Sequence, residues 1–387
     1  MTSYERVKAA LDHRTPDRVP FDLGGSVLTG INRHAYARLR RHLALPEHPQ
    51  SLVDTTQQLA RVEPDLQKLL RVDVTCVDPD PPLSAGLARA PSRDGAYWGM
   101  TDEWGITWKM PVEGGHYYDM TGRPLAEAET ANDLEGFPWP DPEDPARFAT
   151  LRARAEAAVF GERKAYILGR QYAGIWETAL WMRGFDNFFS DMLVNETFAH
   201  ALLDKITELK MRYWAKALEA VGGNVLLVSE ADDLASQQSL LCSPDLYRSM
   251  IHPYHKKLFS FIKTKAQSPV HIFYHSCGAV KPLIPLLIEE GVDVLNPVQV
   301  SARDMDTQTL KREFGRDITF WGGGVDTQQV LPTGSPHEVR EEVRRRIGDL
   351  APGGGFVFAA VHNVQSDVPP ENFMAMWETL QEFGVST

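Results

Sequence analysis

Short runs of consecutive apolar residues alternate along this chain with longer stretches whose apolar positions recur every three to four residues. The short runs lie at 19–23, 72–77, 166–169, 225–229, 270–274, 292–295, 318–321 and 356–361. Most are nearly continuous rather than alternating, as in strands of a parallel sheet covered on both faces, and the stretches between them carry the helical period. Repeated strand-then-helix units, about eight of them, predict a (β/α)₈ barrel of the TIM type.

Local signals sharpen the helices. A short amphipathic helix is expected at the N-terminus, with Ser3 as its N-cap, Val7, Ala10 and Leu11 on one face, and an end before Pro16. Ser243-Pro244 and Ser335-Pro336 each place a capping side chain before a proline at the first helical position, and Gly291 marks a helix end. The rhythm breaks over 80–147, which holds Trp98, Trp104, Trp108, many glycines and the run FPWPDPEDP at 137–145. This stretch is expected to be a β or irregular insertion after the second strand. It would lie within one domain spanning 1–387 and cover the barrel mouth or an oligomer contact.

Composition narrows the function classes. The 387 residues, 43% hydrophobic and 24% charged, suffice for one large barrel. A formal charge of −12, without a long basic block, argues against a nucleic-acid or anionic-membrane surface. No apolar run reaches the ~18–20 residues of a membrane span, and the N-terminus lacks the layout of a secretory signal. The three cysteines, Cys76, Cys242 and Cys277, are too few for a disulfide framework, so a cytoplasmic location is expected.

In barrels of this kind the chemistry gathers at the C-terminal ends of the strands. The polar residues there are Asp22, Asp78, Arg170 with Gln171, Glu230 with Asp232 and Asp233, His275 with Cys277, Asn296 with Gln299, Asp326, and His362 with Asn363. His275 and Cys277 in HSCGAV offer an imidazole nitrogen and a thiolate sulfur, a donor pair suited to Zn²⁺; His362 is the candidate third ligand, and Glu230 or Asp232 a candidate fourth. Two other readings stand beside this one. Cys277 is a small buried hydrophobe with His275 capping a helix, or it is a nucleophile whose thiol is acidified at the start of a helix over 280–290.

The carboxylates Glu230, Asp232 and Asp233 either do acid–base work or form a solvated loop. The run WGGGV at 321–325 lacks the lysine of a phosphate-binding loop and reads as a tight turn, with Asp326 beyond it. Tyr172, Trp176 and Trp181 have core-packing spacing, although Trp176 and Glu177, in the first turn after a strand, are placed to face the cavity.

Five segments, YERVKAALDHRTPDRVP at 4–20, DDLASQ at 232–237, HSCG at 275–278, GVDTQ at 324–328 and DVPPEN at 367–372, together resemble the uroporphyrinogen decarboxylase superfamily from end to end. The resemblance implies the same barrel and two main chemistries. True uroporphyrinogen decarboxylases use no metal and grip substrate carboxylates with an arginine-bearing segment near the N-terminus; here that segment is VPFDLGGS at 19–26, without arginine. The other branch resembles methylcobamide:coenzyme M methyltransferases, which bind zinc through a His-x-Cys pair and a later cysteine. His275 and Cys277 match the pair, and His362 stands at the later position.

The resemblance therefore implies a zinc-dependent methyl or alkyl transferase acting between a corrinoid, carried by a partner protein, and a small acceptor such as a thiol. His275, Cys277 and His362 would hold the metal, Glu230 and Asp232 would be catalytic, and Asp22, Asp78, Trp176, Glu177, Asp233, Gln237, Asn296 and Asp326 would contact substrate. Pairing of two chains through the barrel mouths is also implied. The alternatives are a metal-free decarboxylase of a tetrapyrrole or another carboxylated substrate, with Asp22, Asp78 or His362 handling the proton, and a non-catalytic barrel that binds a corrinoid or tetrapyrrole.

Overall fold

The computed structural model describes residues 1–47, 49 and 51–385. The N-terminal helix spans Ser3–Leu11, and its N-cap is Thr2 rather than Ser3. Thr2 accepts the Glu5 N–H while Glu5 returns the bond to the Thr2 N–H, a reciprocal capping box that frees the Ser3 hydroxyl to donate to Asp73 at 2.7 Å. After it come a helix at Arg33–His42 and a small antiparallel ladder, β1 (Leu52–Asp54) with β2 (Leu59–Ala60), that no sequence pattern announced.

The barrel strands are β3 (Val74–Val77), β8 (Ala165–Leu168), β9 (Leu227–Ala231), β10 (His271–His275), β11 (Val294–Asn296), β12 (Thr319–Trp321) and β13 (Phe356–Val357), and these pair in parallel, in chain order, as one seven-stranded sheet. Between β3 and β8 lies an antiparallel sheet of β4 (Arg89–Asp94), β5 (Tyr97–Thr101), β6 (Thr107–Pro111) and β7 (Asp119–Gly122), so the break in rhythm is a β excursion. Long helices such as Glu196–Val221, Pro336–Leu350 and Pro370–Phe383 cover the outside.

The apolar run at 19–23 makes no extended strand, yet it closes the barrel. Phe21 bridges Phe358 in parallel, Phe358 N–H donates to Pro20 O and Asp22 N–H to Phe358 O, each at 2.9 Å, and on the other side Asp73 N–H donates to Phe21 O at 2.8 Å. The fold is thus the expected TIM-type barrel, its eighth position filled by a bridge of a few residues. Pro20 has no N–H to donate, which explains why the ladder is short there.

Parallel register holds the in–out alternation of side chains in phase from strand to strand. Val74, Ala165, Ile167, Leu227, Phe273, Val294, Trp321 and Val357 form one apolar cluster with Val7, Ala10 and Leu11 of the first helix. Tyr166, Leu168, Val228, Ile272, Tyr274 and Leu295 belong to the larger cluster shared with the outer helices. The glycine run after β12 is a tight turn, with Gly322 and Gly323 at φ of +86° and +81°, a region that side chains with a Cβ enter at a cost.

One charged cluster ties the closure together. The Asp73 carboxylate is wholly buried and receives Arg6 Nη1 at 2.8 Å, Arg18 Nη1 at 2.7 Å, the Ser3 hydroxyl and the Phe21 N–H at 2.9 Å. It joins the first helix, the closing segment and the entry to β3. Removing it leaves Arg18 without its carboxylate partner and Arg6 with Asp17 alone, so Asp73→Ala is expected to lower stability by roughly 3–5 kcal/mol. Chemical denaturation checks this, and an unchanged midpoint would remove the cluster from any role in closure.

Candidate active site

A cavity of about 530 Å³ opens at the C-terminal ends of the barrel strands. The alternation set by the strands decides which residues reach it. In β9 and the residues after it, Ser229, Ala231 and Asp233 line the cavity. Glu230 and Asp232, one position out of phase, turn to the opposite side of the sheet. Glu230 pairs there with Lys210 at 3.0 Å and accepts Trp214 Nε1–H at 2.6 Å. Asp232 caps the helix Ile175–Arg183 by accepting the N–H groups of Ile175, Trp176 and Glu177, and also binds His255 Nε2 at 2.7 Å. Neither carboxylate lines the cavity, and both have structural partners. The close approach of this cap to the chain requires Gly174, where a Cβ would lie 1.5 Å from Ala231 O.

His275 ends β10 on the same face as Phe273 and therefore points inward. In register with it across β11 is Asn296, whose Oδ1 lies 2.6 Å from His275 Nδ1 while its amide donates to Trp321 O at 3.0 Å. The amide orientation makes Oδ1 an acceptor, so Nδ1 carries the proton and the Nε2 lone pair faces Cys277 and Asp233. Cys277 Sγ is 3.4 Å from that nitrogen, and the His362 ring packs edge-on against His275 with centroids 5.2 Å apart. One donor atom from each of His275, Cys277 and His362 lies within 4.8 Å of the others.

Ligand atoms around tetrahedral zinc are separated by about 3.3–3.6 Å, a figure set by the Zn–N and Zn–S bond lengths. The His275–Cys277 pair already stands at this spacing, so the donor set fits the metal in kind and nearly in position. Burial pushes both imidazoles down to about 4, reinforced at His362 by its neighbour His275, and both are therefore neutral ligands at pH 7. Burial, with Asp233 and Glu177 nearby, raises the Cys277 thiol well above its ordinary value. This corrects the nucleophile reading: residues 281–283 form a 3₁₀ turn before the helix Ile284–Glu290, and no helix start acidifies the thiol.

Asp233 is the carboxylate beside the trio. Its Oδ1 accepts the Cys277 N–H at 2.8 Å and lies 3.8 Å from His275 Nε2. Burial raises its pKa, as it does that of Glu177, where the charges of Asp233 and Asp232 add to the effect. Asp78 also lines the cavity and accepts a hydrogen bond from Cys76 Sγ at 2.7 Å.

The remaining expected residues sit elsewhere. Asp22 is buried behind the cavity, accepting Trp321 Nε1–H at 2.9 Å and Gly25 N–H at 2.8 Å, with burial raising it to about 6. Gln237 is exposed and donates to Gln328 Oε1 at 2.6 Å. Asp326 accepts the N–H groups of Gln328 and Gln329 and so braces the turn after β12. Trp176 is fully buried against Phe189, whereas Glu177 from the next position reaches the cavity.

Several lining residues had no sequence signal. Asp54 and Gln57 come from the β1–β2 ladder, and Asp102 and Trp108 descend from the excursion sheet. Tyr172 and Trp181, assigned to the core by their spacing, also line the cavity. Among the described residues Arg170 is the single Lys or Arg on the wall; its Nη1 donates to Ser229 Oγ at 3.0 Å, and its buried Nε has no hydrogen-bond partner among them.

The uroporphyrinogen decarboxylase (URO-D) family model matches residues 117–383. A curated uroporphyrinogen decarboxylase of Alkalilimnicola ehrlichii is 26% identical over 265 residues, which are 65% of this chain and 67% of that protein. One from Psychromonas ingrahamii is 22% identical over 263 residues, 65% of this chain and 69% of its own. Among solved structures, a methyltransferase from Methanosarcina mazei matches with a TM-score of 0.63 at 19% identity, covering 99% of each chain, a likeness of fold.

The outer support of the site makes a pH prediction. Burial alone would lower the pKa of His255, but its hydrogen bonds to Asp232 and Glu290 outweigh that and push it up to about 10. A folded pKa above the unfolded value of about 6.5 means that its stabilising contribution is complete below that value and disappears as pH rises through about 10. Melting curves from about pH 6 to about pH 11 should show this decline in the wild type and a flatter profile in His255→Gln. Parallel profiles would assign the wild-type decline to other groups.

Proposed function

The chain belongs to the uroporphyrinogen decarboxylase (URO-D) family, a family of enzymes, and from that premise we propose that it is a zinc-dependent methyltransferase. It would move a methyl or alkyl group between a corrinoid, presented by a partner protein, and a small thiol or related acceptor. The observation that carries the reading is the convergence of one donor atom from each of His275, Cys277 and His362, within 4.8 Å of one another, with both histidines on the cavity wall. Three protein ligands leave a tetrahedral metal one open position, the arrangement of catalytic rather than structural zinc. Bound there, zinc supplies Lewis acidity that turns a thiol into a thiolate at neutral pH.

The chain's own residues do the rest. Asn296 holds His275 in the tautomer whose Nε2 is free to coordinate, and Cys277 binds as thiolate after giving up its proton. Asp233, placed beside the trio, takes up the proton that the acceptor thiol releases. With the acceptor sulfur held there as thiolate, the corrinoid presented by the partner would supply the methyl group, and its cobalt would keep the electron pair of the bond given up.

The charge of the cavity supports this reading over decarboxylation of a porphyrinogen. Arg170 faces Asp54, Asp78, Asp102, Glu177 and Asp233, a balance unsuited to holding a polycarboxylate.

Elemental analysis of protein purified without chelator should find about one zinc per chain, with Cys277→Ser and His362→Ala each weakening retention at least 100-fold. A wild type that binds no added zinc and releases carbon dioxide from uroporphyrinogen would overturn the reading. Asn296→Ala leaves all three ligands in place but removes the acceptor for His275 Nδ1–H, so zinc affinity should fall roughly 10–100-fold, measured by chelator competition. Unchanged affinity there would mean that Asn296 is not what orients His275.

A further inference from the structure

One wall of the cavity is aromatic. Trp181 stands nearly perpendicular to both Trp108 and Tyr172, with ring centroids 5.6 Å and 5.7 Å away. The polar ends of two of these rings are already engaged: Trp108 Nε1–H donates to Asp102 Oδ2 at 2.8 Å, and the Tyr172 hydroxyl donates to the same carboxylate. What this wall offers a ligand is therefore mainly π surface. Tyr172 adopts a φ of +138°, costly for a bulky residue, while Trp104 stacks on its ring at 5.3 Å, so the fold holds this side chain at the cavity against a backbone preference.

The charge of Arg170 reaches Glu177 and Asp54, but it makes no ion-pair contact with either. Glu177, Asp54 and Asp78 all line the cavity, and none of them forms an ion pair with a Lys, Arg or His among the described residues. Arg170, the one guanidinium on the wall among the described residues, donates to Ser229 of β9. Perpendicular aromatic rings next to carboxyl groups that no cation contacts suit a desolvated organic cation: ring quadrupoles attract the charge, and a carboxylate at its side neutralises it.

We propose that Trp108, Tyr172, Trp181 and Glu177 form a subsite for an organic ammonium ion, so that the small substrate lying beside His275, Cys277 and His362 carries a positively charged nitrogen. The subsite stands on its own geometry; its role as the handle of the transferring substrate rests on the methyl-transfer reading. The ammonium group belongs either to a methylated amine, whose C–N bond breaks as its methyl passes to the reduced corrinoid and whose nitrogen leaves as the neutral amine, or to an amino thiol that accepts a methyl at sulfur from the methylated corrinoid. The aromatic wall, Glu177, His275 and His362 all line the same cavity of about 530 Å³.

Isothermal titration of the protein as purified tests this, with zinc content measured on the same samples. The probes are choline, its neutral carbon isostere 3,3-dimethylbutan-1-ol, cysteamine and the anion 4-methoxybenzoate. At least one of choline and cysteamine should bind, choline at least about tenfold more tightly than its isostere if the donor is the cation, and cysteamine with zinc-dependent affinity if the acceptor is. Trp181→Leu and Glu177→Gln should each weaken that binding about tenfold or more. Glu177→Gln preserves size, so a misfolded Trp181 variant leaves the test intact.

Equal binding of choline and its isostere without cysteamine binding, or tighter binding of 4-methoxybenzoate than of either cation, would overturn the subsite. Zinc present with neither cation bound would also overturn it and leave the transfer reading standing. Choline bound by a protein that takes up no zinc would do the reverse.

Discussion

Everything at the mouth of this barrel depends on the phase of side-chain alternation in its strands. A parallel sheet turns successive residues to opposite faces, and its register carries that phase from strand to strand. Ala231, His275 and Asn296 fall in one row of paired residues, so the imidazole and the amide that orients it meet without a loop having to bring them together. The same phase sends Glu230 and Asp232 outward, where they bind Lys210 and Trp214, and the N-terminus of a helix, respectively. A one-residue slip in β9 would exchange the two sets and empty the cavity of Asp233.

Burial then sets the protonation state of what points inward. Desolvation favours neutral forms, which leaves two uncharged imidazoles, a protonated thiol and carboxyls with raised pKa around one cavity. Such a site is an uneasy resting state for acids and a good receptor for positive charge. A divalent metal bound there would displace the Cys277 proton, because the energy of a thiolate beside a dication outweighs the desolvation that keeps the thiol neutral. The aromatic wall extends the same logic to an organic cation, whose binding restores charge to Glu177.

The repeated apolar runs made the barrel legible, because a strand buried on both faces must be apolar whatever its neighbours are. Chemistry at the strand ends was legible in outline for the same reason. His275, Cys277 and His362 could be named from the sequence because each directly follows a recognisable run. Inward and outward carboxylates were not distinguished, although Val225-Leu-Leu-Val-Ser contains the answer once Ser229 is taken as the inward residue. Asp54, Gln57, Asp102 and Trp108 left no local trace, since they arrive from a two-strand ladder and an excursion sheet whose docking on the mouth depends on tertiary packing.

The residues that miss the cavity still shape it. His255 connects Asp232 to Tyr247 and Glu290, a polar cluster enclosed by the outer helices. Asp232 in turn fixes the first turn of the helix that carries Glu177 and Trp181, two residues on one face at i and i+4. The aromatic wall and its carboxylate are thus positioned by a buried ion pair on the far side of the sheet. Asp232, expected from the sequence to be catalytic, was assigned to the right assembly and the wrong face: it orders the helix whose opposite side carries Glu177 and Trp181 to the cavity.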